Sequence, residues 1–174
     1  MGSETQAEKR AAYFAHSFKA VDGLWFMMAE EGHGFDEALR LDEAVWRVLP
    51  KIQARLMREL LSQEKGLAAL HECLTTHLAW EGHTFECELD EQAGYLDIRI
   101  HKCPWLALLR KSNRECLAER IGPRICTAEY GTWGAEFGEE IRFTLGETVC
   151  QGGKSCLLQY RIARENADGE DRGA

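Results

Sequence analysis

Four cysteines in the second half of the chain are spaced for metal or thiol chemistry: Cys103, Cys126, Cys150 and Cys156. The last two flank Gln151-Gly152-Gly153-Lys154-Ser155, and a Gly-Gly turn can fold two thiolates back toward one point. Thiolate, imidazole and carboxylate are the ligands that zinc takes in a tetrahedral site. Cys126, Cys150 and Cys156 are therefore expected to hold zinc, with Cys103, His101 or Glu129 as the fourth ligand. A second chemistry competes at Cys103. Cys103-Pro104 opens a helix, and a thiol at a helix N-terminus has its pKa lowered by the dipole. His101, two residues earlier, would then serve as its base, making Cys103 and His101 the catalytic candidates. Cys73 and Cys87 fall within helix and strand patterns and read as structural. Cys116 is ambiguous.

Aromatic residues define a third candidate. Trp25, Phe26, Trp105, Tyr130 and Trp133 exceed what core filling needs, so Trp25, Trp105, Tyr130 and Trp133, with Glu129, are the expected lining of a small-molecule pocket. His16, His33, His71, His77 and His83 are scattered through helices and turns and read as surface or satisfied histidines, although His77 and His83 flank a hairpin entrance. Gly152-Gly153 lacks the strand-to-helix setting of a phosphate loop.

The elements that position these residues are legible as periods. Phe14, Phe18, Val21, Trp25 and Met28 recur at helical spacing over about residues 5–31. Phe35-Asp36-Glu37 opens a second helix with an apolar face of Leu41, Val45, Val48, Ile52, Leu56 and Leu60, which Pro50 should kink or split. A third helix spans about 64–80. The period then changes to two. Phe85–Leu89 and Tyr95–Ile100 read as a hairpin, and Ile141–Leu145 pairs with Cys156–Ile162. A helix is expected over about 123–136. The fold class is α+β: an N-terminal helical layer packed on a small antiparallel sheet with crossing helices. Residues 1–163 form a single domain, helical over 5–80 and mixed over 84–162, and residues 164–174 form a disordered tail.

Composition narrows the partners. The chain has 174 residues, seven cysteines and a formal net charge of -8. No basic stripe stands apart from the acidic residues, which argues against nucleic acid and anionic membranes. No apolar run is long enough to span a bilayer, and no secretory leader is visible at Met1–Gln6. An odd number of cysteines and the absence of a leader favour the cytoplasm with reduced thiols. The N-terminal helices are expected to supply homodimer contacts.

Two stretches carry family resemblances. Val21-Asp22-Gly23-Leu24-Trp25-Phe26, Glu30-Glu31-Gly32-His33-Gly34-Phe35, Ala38–Asp42 and Val45-Trp46, with Cys103-Pro104-Trp105 and Arg114–Cys126, resemble an uncharacterised prokaryotic family grouped with L-2-amino-thiazoline-4-carboxylate hydrolase-like proteins. Gly122-Pro123-Arg124-Ile125-Cys126, Tyr130-Gly131 and Ile141-Arg142-Phe143 through Cys150 and Cys156 resemble the vinyl-reductase-type small-molecule-binding domain. That resemblance implies zinc held by three cysteines and a glutamate beside a ligand pocket, with Cys126, Cys150 and Cys156 in matching order. Two functions follow as expectations. One is a cytosolic small-molecule-binding module with a structural zinc site. The alternative is a hydrolase of a small cyclic or amidine-like C–N or C–S bond, using Cys103 or a metal-bound water.

Overall fold

The computed structural model describes residues 5–163; the expected tail at 164–174 lies outside them. The chain forms two compact units, Met1–Val45 and Trp46–Ala174.

In the first unit, helix α1 (Gln6–His33) starts from a capping box. The Thr5 hydroxyl accepts the Glu8 N–H at 3.2 Å, and the Glu8 carboxylate accepts the Thr5 N–H at 2.6 Å. Two otherwise orphaned helix-end donors are thereby satisfied. Gly34, at φ 83°, ends α1, and α2 (Phe35–Trp46) follows at once. No residue of α1 is buried. Its apolar stripe, expected from the periodicity, faces outward: Phe14, Val21, Trp25 and Met28 are all more than half exposed.

In the second unit, α3 (Leu49–Leu60) carries Pro50 in its first turn, so the proline splits the expected second helix rather than kinking it. The buried side of α3 is Pro50, Ala54 and Met57. Val48, Ile52, Leu56 and Leu60, the face that looked like core in the sequence, are exposed. Ala54 has no exposed surface, because its small side chain admits a close neighbour. Helix α4 (Leu67–Glu81) is enclosed on several sides, burying Leu67, Leu70, Cys73, Leu74, His77 and Leu78. Gly82, in the left-handed region at φ 91°, closes it.

Strands β1 (Thr84–Asp90) and β2 (Tyr95–Lys102) form the expected hairpin, with the Ala93 N–H donating to Asp90 Oδ1 at the turn. Helix α5 (Pro104–Lys111) follows, with Cys103 at its N-cap. A 3-10 turn at Glu115–Leu117 leads into α6 (Ala118–Phe137). Helix α6 begins five residues before the expected start and carries Pro123 in its interior. The missing N–H there is outweighed by the buried row Ile125, Tyr130, Trp133 and Phe137 further along. Strands β3 (Ile141–Leu145) and β4 (Cys156–Ile162) complete one antiparallel sheet in the order β1-β2-β4-β3. Period-two alternation turns Leu96, Ile98 and Ile100 of β2, and Leu158 and Tyr160 of β4, inward. Helix α6 packs on α3, α4 and β3. The protein has an α+β fold, and its largest core lies between these helices and the sheet. Among the described residues, no helix is long and apolar enough to cross a membrane.

Candidate functional site

Helix α6 organises the site. One stripe of its surface runs Gly122, Cys126, Glu129 and Tyr130, Trp133 and Phe137, the three- and four-residue spacing of a single helix face. The upper part of the stripe meets thiols and the lower part meets an imidazole and carboxylates.

Four segments bring thiols into electrostatic range of one another. Cys126 comes from α6, Cys103 from the N-cap of α5, Cys150 from a 3-10 turn at Val149–Gln151, and Cys156 from the first position of β4. Burial pushes the Cys126 thiol well above its ordinary pKa, and the charges of Glu129, Cys103, Cys156 and Cys150 push it further. Burial lifts Cys103 to about 11, with the backbone N–H groups of Leu106 and Trp105 opposing and Cys156 and Cys150 adding to the rise. Cys150 is likewise lifted to about 11, first by burial and then by Cys156. At Cys156 burial raises the pKa, while the Val149 N–H, donating to Sγ at 3.4 Å, lowers it. Four mutually repelling thiolates do not form here without a cation to share them. The sulfurs are neighbours but are not drawn to ligand distance. Among the described residues they do not form a group with ligand atoms all within 4.8 Å of one another.

Glycines permit this convergence. A Cβ on Gly122 would stand 2.6 Å from Cys150 Sγ and 2.9 Å from its Cβ. The missing side chain lets the Cys150 turn lie directly on α6, one helical turn before Cys126. In the loop to β4, Gly152 sits at φ 86°, a left-handed conformation that costs glycine little. A Cβ on Gly153 would meet the Thr148 carbonyl oxygen at 2.8 Å. Glycine is thus required at both positions of the turn that returns Cys156 to Cys150.

Below the thiols lies a polar cluster in an otherwise apolar core. His77 and Glu81, one turn apart on α4, meet Glu129 of α6, and one ligand atom from each lies within 4.8 Å of the others. His77 Nε2 is 3.6 Å from Glu81 Oε1, and His83 Nδ1 is 3.8 Å from Glu81 Oε2. His77 is 7% exposed and Glu129 4%. His77 Nε2 and Trp133 Nε1 are buried and make no hydrogen bond. Burial, with a smaller push from the His83 charge, lowers the His77 pKa to about 4, leaving a neutral imidazole at physiological pH. The His77 and Trp133 rings lie 5.0 Å apart. Tyr130 connects the two clusters: burial raises its pKa well above the ordinary value, followed by the charges of Glu129, Cys126, Cys103 and Glu81.

Of the residues expected from sequence, the structure groups Cys103, Cys126, Cys150 and Cys156, and it buries Glu129, Tyr130 and Trp133 on the adjoining turns of α6. Trp105 sits on α5 edge-on to Trp46, ring centroids 5.6 Å apart. Four expectations are corrected. Trp25 is on α1, in the first unit, where its side chain is three-quarters exposed rather than enclosed. His101 is turned to Glu86, 3.4 Å away, at the exposed end of β2, and the chain has already left the strand at Cys103. The Cys103 thiol pKa is raised rather than lowered, because burial outweighs the Leu106 and Trp105 N–H groups at the helix start. Cys87, read as structural, is exposed, with Sγ 3.3 Å from His71 Nε2. Sequence reasoning took His77 for a surface or satisfied histidine and passed over Glu81. Their i, i+4 spacing on a helix was the available signal.

Residues 3–127 match the model of a family of unknown function, DUF6125. A family without an assigned function agrees with the first resemblance, while its grouping with hydrolase-like proteins finds no support. No curated protein matches the chain. Among solved structures, the chain is similar to the phenol-responsive sensory domain of the transcription activator PoxR, crystallised with phenol. The identity is 14% and the TM-score 0.49, over 83% of this chain and 73% of that one. So distant a likeness carries no functional argument.

Proposed function

The chain belongs to the DUF6125 family, whose function is unknown, and from its own residues we propose that it is a small-molecule-binding module whose C-terminal half is held by zinc. The observation that carries the reading is the buried polar interior, where Trp133 Nε1 is wholly enclosed without a hydrogen bond. An unsatisfied buried donor costs about 1–3 kcal/mol, and a core that needed only packing would have an apolar group there. A ligand with an acceptor atom, enclosed by aromatic rings, removes that cost.

The donor set beside it suits zinc. Cys126, Cys150 and Cys156, with Cys103 as the fourth ligand, would hold the ion, and four protein ligands make such a site structural rather than catalytic. Zinc bound there would lower the pKa values of the raised thiols and tie α5, α6 and the start of β4 together.

Native mass spectrometry of the purified protein, compared with the denatured chain, tests both halves. The expected result is added mass for zinc and for a small organic molecule, with the organic mass lost in Trp133→Phe. Strong chelation should lower the melting temperature. A protein that carries no zinc and melts identically with and without chelator removes the zinc reading. One that carries no organic mass and shows no change in tryptophan fluorescence with phenols, amines or small carboxylates removes the binding reading.

A further inference from the structure

The imidazole and two carboxylates below the thiols have the composition of a second, chemically different metal site. His77 and Glu81 project from one face of α4 at i, i+4, and Glu129 projects from α6. Two ligands each about 2.1 Å from an ion stand at most about 4.2 Å apart. The ligand atoms here already lie within 4.8 Å of one another, so side-chain adjustments of a few tenths of an ångström suffice.

The burial gives a second, independent indication. His77 Nε2 is enclosed, makes no hydrogen bond, and points to Glu81 Oε1 at 3.6 Å, too far to be a hydrogen bond but suited to an ion between them. A divalent cation shared between two such carboxylates would offset the charge they bring into the core when ionised. His83, 3.8 Å from the second Glu81 oxygen, is placed to orient that carboxylate from outside, as outer partners of metal ligands do.

We propose that His77, Glu81 and Glu129 bind a divalent first-row transition ion through nitrogen and oxygen, independently of the thiol cluster. One imidazole and two carboxylates favour manganese, iron(II), cobalt or zinc over the softer ions that thiolates select. Three protein ligands leave coordination positions open for water or for a ligand oxygen. Trp133 Nε1, one turn beyond Glu129, is a buried donor that can hold that oxygen. This last step rests on the small-molecule reading above; the metal site itself does not.

The test uses the protein as purified, equilibrated with excess Co(II), freed of unbound ion, and read by elemental analysis and absorbance. Cobalt bound to thiolate gives an intense near-ultraviolet charge-transfer band, and cobalt bound only to nitrogen and oxygen does not. The wild type should hold metal beyond what the thiol cluster holds. Glu129→Gln and Glu81→Gln should each weaken that extra ion at least about a hundredfold, with circular dichroism unchanged and the thiol-bound metal retained. If Glu129→Gln loses metal and Glu81→Gln does not, Glu129 belongs to the thiol site and the inference fails. It fails equally if the wild type holds no metal outside the thiols. Loss of the zinc reading would appear instead as no zinc by elemental analysis together with no charge-transfer band, with the extra ion still bound.

Discussion

Gly122→Ala tests whether the thiol convergence is built as described. In an ordinary helix interior, replacing glycine with alanine stabilises by about 1 kcal/mol, because alanine restricts the unfolded chain and glycine does not. Gly122 lies inside α6 and has no left-handed backbone to protect. Propensity alone therefore predicts a gain. The structure predicts the opposite, because the new methyl would stand 2.6 Å from Cys150 Sγ and 2.9 Å from Cys150 Cβ. Sγ can swing away by rotation about the Cα–Cβ bond, but Cβ is fixed to the backbone, so the 3-10 turn must move. Overpacking of this kind costs about 1–3 kcal/mol, and contacts this short belong at the upper end. The net expectation is a loss of about 1–2 kcal/mol. A chain of this length shifts by ~2–4 °C per kcal/mol, so the melting temperature should fall by roughly 2–8 °C. Gly131→Ala, on the same helix, is the control. Its added methyl meets Phe143 Cδ1 at 3.6 Å, an ordinary contact, so it should raise the melting temperature by a few degrees. Calorimetry of the two variants against wild type decides the matter. If both melt higher by similar amounts, Cys150 does not lie on α6 and the thiol cluster as described is wrong.

Thiol chemistry and association give two further expectations. Brief alkylation with iodoacetamide, mapped by peptide mass spectrometry, should label the exposed Cys87 and Cys116 first and Cys73 last, with Cys103 slow because its thiol is held un-ionised by burial; rapid labelling of Cys103 would restore the nucleophile reading. The outward stripe of α1 extends through Ala7, Ala11, Phe14, Phe18, Val21, Trp25 and Met28 at alternating spacings of four and three, the seam of a coiled coil, so a second copy of this chain is the expected occupant. Trp25→Glu should convert a dimer to a monomer in sedimentation without loss of helix, and a wild type that sediments as a monomer at tens of micromolar rules the pairing out.

Much of this protein is written locally. The Pro50 break, the hairpin between Phe85 and Ile100, and the Cys103-Pro104 helix start all follow from rules that act over a few residues, and each is found at or near its expected position. The Thr5–Glu8 cap obeys a rule of the same short range. The return of Cys156 to Cys150 is local as well, since Gly152 and Gly153 set the turn between them. Three things were decided only by tertiary structure. The first is which apolar face is core: periodicity marks Val48, Ile52, Leu56 and Leu60 as a stripe, yet packing buries Pro50, Ala54 and Met57, where the small Ala54 allows a close approach and the flexible Met57 fills the gap beside it. The second is the state of Cys103, where the local helix dipole favours a thiolate and the enclosure supplied by distant segments reverses the sign. The third is the meeting of His77 and Glu81 with Glu129, which exists because α4 packs on α6. Each of these residues obeys its own helix's period. Nothing within either helix specifies the other, because a contact between distant segments is selected by the total burial of the folded chain and leaves no mark in the local pattern.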